Sequence, residues 1–350
     1  MQKKLLGRWG ALALAAALTA TVVTGCGSDS EDAATSAEGT IGIAYSLGGR
    51  DVPGFNQLAY IGVEPLLAEN PNLKLIESQD NPTATDDQRT ERLRLMAQKG
   101  ANPIVVVGFT YAAALGKVAP EFPDIQWGIV DDSSVVAPNV QSIVFKEEEG
   151  SYLVGVAAAL KSQTGNVGFI GGVNTPLIAK FEAGFIAGAQ AVNSKIKVQR
   201  TYISNFPDFS GFNDPAKGYE AAKGMYENGA DVVYAAAGGT GTGMHKAASE
   251  LGKWSIGVDA DEATYPAHAE YTSTILTSML KRVDLGTRAF VKDALAGTPT
   301  AGIKTWGYAE GGVGYTTTGD FLADLTEKID AEAAKIASGE VVVPTEPSKG

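Results

Sequence analysis

Residues 104–150 read IVVVGFTYAAALGKVAPEFPDIQWGIVDDSSVVAPNVQSIVFKEEEG, and the pattern of this stretch predicts the fold. It contains three short runs, at 104–107, 125–130 and 140–145, in which Val and Ile follow one another with little polar alternation. Such runs are typical of strands that are buried on both faces of a parallel sheet. The charged segment 146–149 then interrupts the pattern, and we expect it to mark the end of a first lobe.

The same pattern of short apolar runs extends along the chain in both directions. Further strands are predicted at 40–45, 73–77, 166–170, 198–203, 231–235, 255–258 and 274–277. Helices are predicted between the strands at 55–69, 85–99, 147–162, 176–193, 215–228, 242–252 and 278–296. Repeated β-α-β units at a spacing of ~25–35 residues favour an α/β fold with right-handed crossovers. About ten strands are more than one ordinary sheet holds, so two doubly wound lobes with parallel sheets are predicted. A closed eight-stranded β/α barrel is the alternative, but it gives no reason for a charged break midway.

The N-terminal residues have the pattern of a lipoprotein signal. Lys3 and Lys4 precede an apolar run at 9–25, which ends in Val23-Thr24-Gly25-Cys26. We predict a signal peptide at 1–25 and lipidation of Cys26 by acyl chains such as palmitate, with a flexible polar tether at 26–39. The alternative is an uncleaved transmembrane anchor, because the run is near the short limit of ~17 residues for a span. The lipoprotein prediction puts the protein on the extracytoplasmic face of the cell membrane.

Composition excludes several classes of function. The net charge is −12, so binding to nucleic acid through its phosphates is not expected. One cysteine and two histidines, His245 and His268, make a disulfide or a zinc site unexpected. The common hydrolase and phosphate-binding motifs are absent from the sequence. We therefore expect no metal, no cofactor and no catalytic residue.

Two loops at the carboxyl ends of predicted strands are candidate ligand sites, because ligands of open α/β sheets bind there. Phe55 and Asn56 begin the helix after the first strand, where their alternative roles are a hydrophobic staple and a helix cap. Residues 238–243 form a glycine-rich turn that lets a ligand approach the backbone, or that serves packing alone. As a dinucleotide motif the turn is incomplete, because Met244 stands at the place of the third glycine.

Acidic residues, a lysine and aromatic rings follow other strands. Asp131, Asp132, Asp259 and Asp261 come after predicted strands and could accept hydrogen bonds from a diol or an amidine edge, with helix capping as the alternative. Lys281 follows another strand and can donate to hydroxyls or pair with an acid. The loop after strand 198–203 holds three rings that could stack on a flat ligand, or in part fill the core: Phe206, Phe209 and Phe212.

Several blocks of sequence, in order, carry a resemblance to a known family. They include Gly54-Phe55-Asn56-Gln57, Phe145-Lys146-Glu-Glu-Glu149-Gly150-Ser151, Phe181-Glu-Ala-Gly184-Phe185, Asp214-Pro-Ala-Lys217-Gly218, Gly257-Val-Asp259-Ala-Asp261 and Thr277-Ser-Met-Leu-Lys281-Arg282. Over residues 41–319 the chain resembles the BMP (basic membrane protein) or PnrA-like family of lipoprotein receptors, which includes purine-nucleoside-binding proteins of ABC importers. The resemblance implies a type I periplasmic-binding fold, with two lobes joined by a hinge. It implies a first lobe at 40–147 and about 260–350, and a second at 148–259.

The resemblance also implies roles at the base end of a nucleoside. Phe55 resembles one stacking ring and Phe212 the opposite one, with Phe206 as the competing alignment. Asn56 and Asp131 resemble readers of the purine edge. Val52 stands where members usually carry Asp, so a base contact from the neighbouring Asp51 is only a possible addition.

At the sugar end, Asp259 and Lys281 resemble ligands of the ribose hydroxyls, and Gly239 resembles a close backbone contact. Glu262 stands where Gln is common in the family. The prediction is a membrane-anchored solute-binding lipoprotein that captures inosine, guanosine or adenosine for an ABC permease. The alternatives are a sugar receptor of the same fold, a nucleoside-processing enzyme that uses Asp131 or Asp259, and a sensor or adhesin.

Overall fold

The computed structural model describes residues 39–81, 83–298 and 300–348. The predicted signal peptide, the lipidation of Cys26 and, apart from Gly39, the predicted tether lie outside the described residues. None of the helices within the described ranges has both the length and the apolar character that crossing a bilayer requires.

The described chain alternates between strands and helices. The strands are β1 (Gly39–Leu47), β2 (Leu73–Asp80), β3 (Ile104–Val107), β4 (Trp127–Val130), β5 (Val140–Phe145), β6 (Asn166–Asn174), β7 (Lys197–Asn205), β8 (Val232–Ala236), β9 (Trp254–Asp259), β10 (Ile275–Lys281), β11 (Gly302–Trp306) and β12 (Val313–Tyr315). The helices are α1 (Phe55–Glu69), α2 (Asp86–Gln98), α3 (Ala112–Val118), α4 (Glu147–Lys161), α5 (Pro176–Val192), α6 (Pro215–Glu227), α7 (Gly241–Leu251), α8 (Val283–Leu295) and α9 (Thr326–Ser338).

The strands form two six-stranded sheets, each the centre of one lobe. The first sheet has the order β11-β5-β4-β3-β1-β2 and is parallel throughout. The second has the order β12-β10-β9-β8-β6-β7, and only its edge strand β12 runs antiparallel. The central runs are buried on both faces, as their unbroken Val and Ile content predicts. The predicted α/β fold with two parallel sheets is confirmed, and the barrel alternative is wrong.

The two sheets repeat one strand order. Strands β1 to β5 and strands β6 to β10 are arranged alike, so β4 of the first lobe corresponds to β9 of the second. The carboxyl ends of both sets of parallel strands therefore carry equivalent loops. This repetition brings two matching rows of loops to the region where a ligand of an open sheet would bind.

The sequence prediction is wrong at one helix boundary and incomplete elsewhere. The helix predicted at 278–296 begins only at Val283, because residues up to Lys281 are still paired in β10. Met279 and Lys281 lie opposite residues of β12, a strand more than thirty residues further along the chain that local patterns do not reveal. Four elements are absent from the prediction: α3, β11, β12 and α9. Among them, β11 is largely exposed, so it lacks the apolar run that marks a buried strand.

The chain returns to the first lobe further along the sequence than the expected position near residue 260. Strands β10 and β12 belong to the second sheet. Strand β11 belongs to the first sheet, and helix α8 belongs to the first lobe because it packs on α1. The chain therefore crosses between lobes at Lys146, at Arg282 and within 307–312. Strand pairing decides this, because β10 extends the parallel ladder beside β9. The crossings are bonded to one another: Lys146 N donates to Trp306 O (3.1 Å), and Arg282 N donates to Gly312 O (2.8 Å).

Helices α4 and α5 of the second lobe are in very close contact. A Cβ atom on Gly184 would lie 2.1 Å from the carbonyl oxygen of Glu148, and one on Gly188 would lie 1.9 Å from that of Tyr152. Gly155 on α4 is equally confined, with Phe185 O at 2.3 Å. These glycines let the two backbones approach, and the approach brings the start of α4 beside Lys180 of α5.

Candidate ligand-binding cleft

A cavity of about 350 Å³ lies between the carboxyl ends of the two sheets. The first lobe contributes residues after β1, β3 and β4, and the second contributes residues after β6, β7, β8 and β9 together with the end of β10. All seven principal residues predicted from the sequence line it: Phe55, Asn56, Asp131, Phe212, Gly239, Asp259 and Lys281. The two possible additions do not. Phe206 is 64% exposed, and the Asp51 side chain is 97% exposed.

Lys281 is the charged centre of the cleft. Its side chain is 2% exposed, and its Nζ lies 2.6 Å from Asp131 Oδ2 and 2.9 Å from Glu147 Oε1. The ammonium also lies 5.4 Å from the ring centre of Phe55, a cation–π distance. Because Asp131 follows β4 and Lys281 ends β10, this ion pair joins the two lobes. Glu147, the first residue of α4, was not predicted, because the run of glutamates had only been interpreted as a charged break.

The charges around Lys281 stabilise one another. Burial by itself would lower the pKa of Lys281, but the carboxylates of Asp131 and Glu147 outweigh burial and raise it. Burial acts to raise the pKa of Glu147, yet the ammonium groups of Lys281 and Lys180 hold it below its ordinary value. Burial also raises the pKa of Asp131, and Lys281 opposes that rise. The cleft therefore holds a buried cation that its own carboxylates already neutralise.

Asp131 and Asp259 occupy equivalent positions at the ends of β4 and β9. Both have a left-handed backbone, with φ of 65° and 68°. Burial raises the pKa of Asp259 to about 7, and the nearby Asp131 adds to the rise while Lys281 opposes it. Asp259 is therefore partly protonated near neutral pH, and a ligand with hydroxyl donors would shift it toward the anion.

Phe55 and Phe212 belong to opposite lobes. Phe55 is the first residue of α1, and Phe212 ends a short 3-10 turn at Phe209–Phe212. Each ring lies against a glycine: a Cβ on Gly108 would lie 3.5 Å from Phe55 Cε1, and one on Gly172 would lie 2.4 Å from Phe212 Cδ1. The missing side chains at these glycines make room for the rings in the lining of the cavity.

Asn56 lines the cavity but also braces the last residues of β1. Its Oδ1 accepts a hydrogen bond from Ser46 N (3.1 Å), and its Nδ2 donates to Leu47 O (2.9 Å). It does not cap α1, whose N-cap is Gly54 without a side-chain bond. The amide therefore holds the end of β1, where Ser46 and Leu47 join the cavity lining.

Three polar atoms of the cavity lining are buried and have no hydrogen-bond partner among the described residues. They are Asp131 Oδ1, Thr110 Oγ1 and Tyr265 Oη. Burying such a group without a partner costs ~1–3 kcal/mol, so the arrangement favours a ligand that supplies the missing bonds. Thr110 and Tyr265 were not predicted, although Thr110 directly follows the Gly108-Phe109 pair at the end of β3.

A second cluster, of which Glu262 and His268 line the cavity, is also absent from the sequence prediction. His245 Nε2 lies 2.8 Å from Glu262 Oε2, and His268 Nδ1 lies 3.6 Å from the same oxygen. These three residue types can ligate a metal, but His268 Nδ1 also bonds Glu262 O, and Glu262 Oε1 accepts from Val258 N. Bonds within the protein thus account for the cluster. Histidines at 245 and 268 are too far apart in sequence for their pairing to be read from it.

The aromatic loop after β7 is divided between the cavity and its rim. Phe212 lines the cavity, whereas Phe209 packs edge-on against Phe109 of the first lobe, with ring centres 5.8 Å apart. Phe206 packs on the outer side of Phe209 at 5.8 Å. Of the three rings, Phe212 is therefore the one positioned to face a ligand.

Comparisons with known proteins agree on a family. Residues 45–347 match the family described as ABC transporter substrate-binding protein PnrA-like. The chain is 34% identical to the CD4+ T-cell-stimulating antigen of Listeria monocytogenes, over 96% of this chain and 98% of that one. It is 33% identical to the ABC transporter nucleoside-binding protein BmpA of Lactococcus lactis, over 83% and 85% of the two chains.

A solved structure shares the architecture. The ABC transporter solute-binding protein of Aeropyrum pernix K1 superposes with a TM-score of 0.74 at 26% identity, over 87% of this chain and 93% of that one. The resemblance found in the sequence and the predicted periplasmic-binding fold are thereby confirmed. With a family match over most of its length, the chain belongs to the PnrA-like family of ABC transporter substrate-binding proteins.

Proposed function

We propose that the cleft binds a purine nucleoside, which the protein delivers to an ABC permease. The observation that carries the proposal is the composition of the cavity lining. Two aromatic rings, Phe55 and Phe212, come from opposite lobes, and the same lining holds unpaired polar atoms and an acid–lysine pair. A nucleoside combines the same two features, a flat apolar ring system and a polar edge with hydroxyls.

At the base end, stacking supplies affinity and polar groups supply selectivity. A base between two aromatic rings gains ~1–3 kcal/mol from each ring. The unpaired Asp131 Oδ1 is an acceptor suited to an N–H of a purine edge. In this proposal Asn56 acts on the same edge mainly through the end of β1, which it braces.

At the sugar end, Asp259 accepts hydrogen bonds from two ribose hydroxyls, and Gly239 allows the sugar to approach the backbone. Lys281, which pairs with Asp131, donates to the ribose or holds Asp131 in place. The half-buried, partly protonated carboxyl of Asp259 is suited to such partners.

The anchor and the location follow from the N-terminal sequence and the family. Acylation at Cys26 would hold this acidic protein on the outer face of the cell membrane beside its permease. A relative of the same family from Lactococcus lactis is named a nucleoside-binding protein, which supports the nucleoside as cargo. Hinge closure at Lys146, Arg282 and 307–312 would enclose the ligand and present the closed face to the permease.

Calorimetric titration of the purified protein tests the proposal. Inosine, guanosine and adenosine are compared with ribose and with free hypoxanthine. Ribose lacks both stacking contacts, so its affinity should be at least ~30-fold lower than that of the best nucleoside. Ribose or another sugar binding as tightly as every nucleoside would instead support the sugar receptor. Release of free base during the titration, detected by chromatography, would support the enzyme.

A further inference from the structure

Thr242 is a hydroxyl of the cavity lining that has no part in the proposed nucleoside contacts. It lies in the first turn of α7, and its Oγ1 is 3.0 Å from His268 Nε2. Both residues line the cavity. We propose that Thr242 contacts the ligand as a hydrogen-bond acceptor only, and that His268 imposes this polarity. The inference rests on the proposed function for the identity of the ligand.

The first step is the tautomer of His268. Its Nδ1 lies 3.1 Å from the backbone oxygen of Glu262, which can only accept, so Nδ1 must carry a hydrogen. Burial, together with the nearby His245, lowers the pKa of His268 and favours the neutral ring. A neutral imidazole has one N–H, and Nε2 is therefore an acceptor. The hydroxyl hydrogen of Thr242 then points to Nε2, and the lone pairs of its oxygen remain for a ligand.

The second step is the rigidity of the group that sets this tautomer. Glu262 is held at three atoms: Oε1 accepts from Val258 N (2.8 Å), Oε2 lies 2.8 Å from His245 Nε2, and its N donates to Ser278 Oγ (3.1 Å). His245 is itself bonded to Ser255 Oγ through Nδ1. The carbonyl of Glu262 is therefore unable to turn away from His268. With His268 only 4% exposed, bulk water does not offer the ring another partner.

The consequence is a requirement on the ligand. An O–H or N–H that faces Thr242 finds an acceptor, whereas a carbonyl or an unprotonated ring nitrogen faces lone pairs. Such a mismatch leaves both groups without a bond and weakens binding by ~5-fold or more. Since Thr242 follows Gly239 by three residues, the group that it meets belongs to the proposed sugar end. Thr242 and His268 together therefore select a ligand that has a hydroxyl beside Thr242.

The tautomer can be measured without any ligand. The chain has two histidines, so a ¹⁵N spectrum of the ligand-free protein at pH 7.5 contains two imidazole side chains, and the variant His268→Gln identifies one of them. We expect a neutral His268 that is protonated at Nδ1. A neutral ring protonated at Nε2, or a charged ring, would overturn the inference whatever the protein binds.

The ligand contact is tested by titrating five ligands into each variant. The ligands are inosine, its 2′-, 3′- and 5′-deoxy analogues, and purine riboside, which lacks the N1–H of inosine. Thr242→Val should lower the affinity for inosine by ~5-fold or more. It should leave unchanged the affinity for the one analogue that lacks the contacted donor. Thr242→Ser should restore inosine binding. Thr272→Val, the same change in a half-buried 3-10 helix outside the cavity lining, should leave the binding of all five ligands unchanged.

Two results would contradict the contact. Thr242→Val could weaken all five ligands equally, which indicates a general effect on structure, or it could weaken none. His268→Phe supplies a further readout, because it frees the Thr242 hydrogen and should reduce the discrimination between inosine and the affected analogue. If the wild-type protein binds none of the five ligands, the proposed function fails, while the ¹⁵N spectrum still decides the tautomer.

Discussion

At the scale of single residues, the two aspartates of the cleft share an unusual backbone. Asp131 and Asp259 have φ of 65° and 68°, a region that non-glycine residues rarely adopt and in which Asp and Asn are enriched. Replacement by alanine would add backbone strain to the loss of the carboxylate. Asparagine keeps the shape and tolerates the same backbone, so it isolates the effect of charge.

Asp259→Asn is expected to weaken the binding of inosine and to stabilise the ligand-free protein at high pH. The pKa of Asp259 is raised to about 7, against ~3.9 in an unfolded chain, so the folded state binds more protons between those values. Wild-type stability therefore falls as pH rises from ~4 to 7, and the variant escapes this loss. We expect it to be more stable by ~1–3 kcal/mol at pH 8 and by much less at pH 4.5, measured by urea denaturation.

The control for this variant is Asp320→Asn. Asp320 also has a left-handed backbone, with φ of 58°, but it is exposed. It should show no pH-dependent gain, because its carboxylate stays in water in both states. An equal gain for the two variants, or a gain at Asp259 that does not depend on pH, would argue against the buried charge as the cause.

Ligand affinity should itself depend on pH through Asp259. Hydroxyl donors favour its anion, so binding releases a proton while the free cleft is protonated. Because burial raises the pKa to about 7, affinity for inosine should rise by up to ~10-fold per pH unit below that value and level off above it. Calorimetry between pH 5.5 and 8.5 measures this. A flat profile would mean that the acid does not contact the ligand as an anion.

At the scale of elements, the contact between α4 and α5 positions the charged centre of the cleft. Gly188→Ala would place a methyl group 1.9 Å from Tyr152 O, so the helices must separate. We expect a loss of ~1–3 kcal/mol in the free energy of unfolding, from denaturant titration. Separation would also displace Lys180 from Glu147, which it meets at 2.6 Å, and weaken inosine binding.

Gly224→Ala is the matched control for this change. Gly224 lies inside α6, and a Cβ at this position meets nothing within 4 Å. The substitution should stabilise the protein by ~0.5–1 kcal/mol, because alanine is the better helix former. If both variants lost stability alike, close helix packing would not be the reason for glycine in α5.

At the scale of the whole molecule, the balance of charge in the cleft predicts rejection of phosphorylated ligands. Of the described residues that line the cavity, Lys281 is the sole Lys or Arg, and Asp131 and Glu147 already pair with it. A phosphate would meet unpaired negative charge from Asp259. We expect inosine 5′-monophosphate to bind at least ~100-fold more weakly than inosine in calorimetry. Comparable affinity for the two would mean that the 5′ position faces open solvent.

Particular residues show how far the sequence could be interpreted. Phe55, Asp131 and Asp259 were identifiable because each lies in the segment that begins at the carboxyl end of a buried strand, a position that local patterns define. Glu147 and His268 were not, because their partners Lys281 and Thr242 lie far away in the chain. The strand positions therefore predict Phe55, Asp131 and Asp259. The roles of Glu147 and His268 depend on which strands and loops become neighbours in the fold.

The amino-acid sequence by itself determined the alternation of buried strands and helices, the two sheets and the residues at strand ends, because periodicity and glycine placement act over a few neighbouring residues. The tertiary structure alone decided the sheet that β10 joins, the pairing of Asp131 with Lys281 and the network that orients Thr242. These depend on pairing and packing between segments about 20 or more residues apart in the chain, which local sequence patterns do not define.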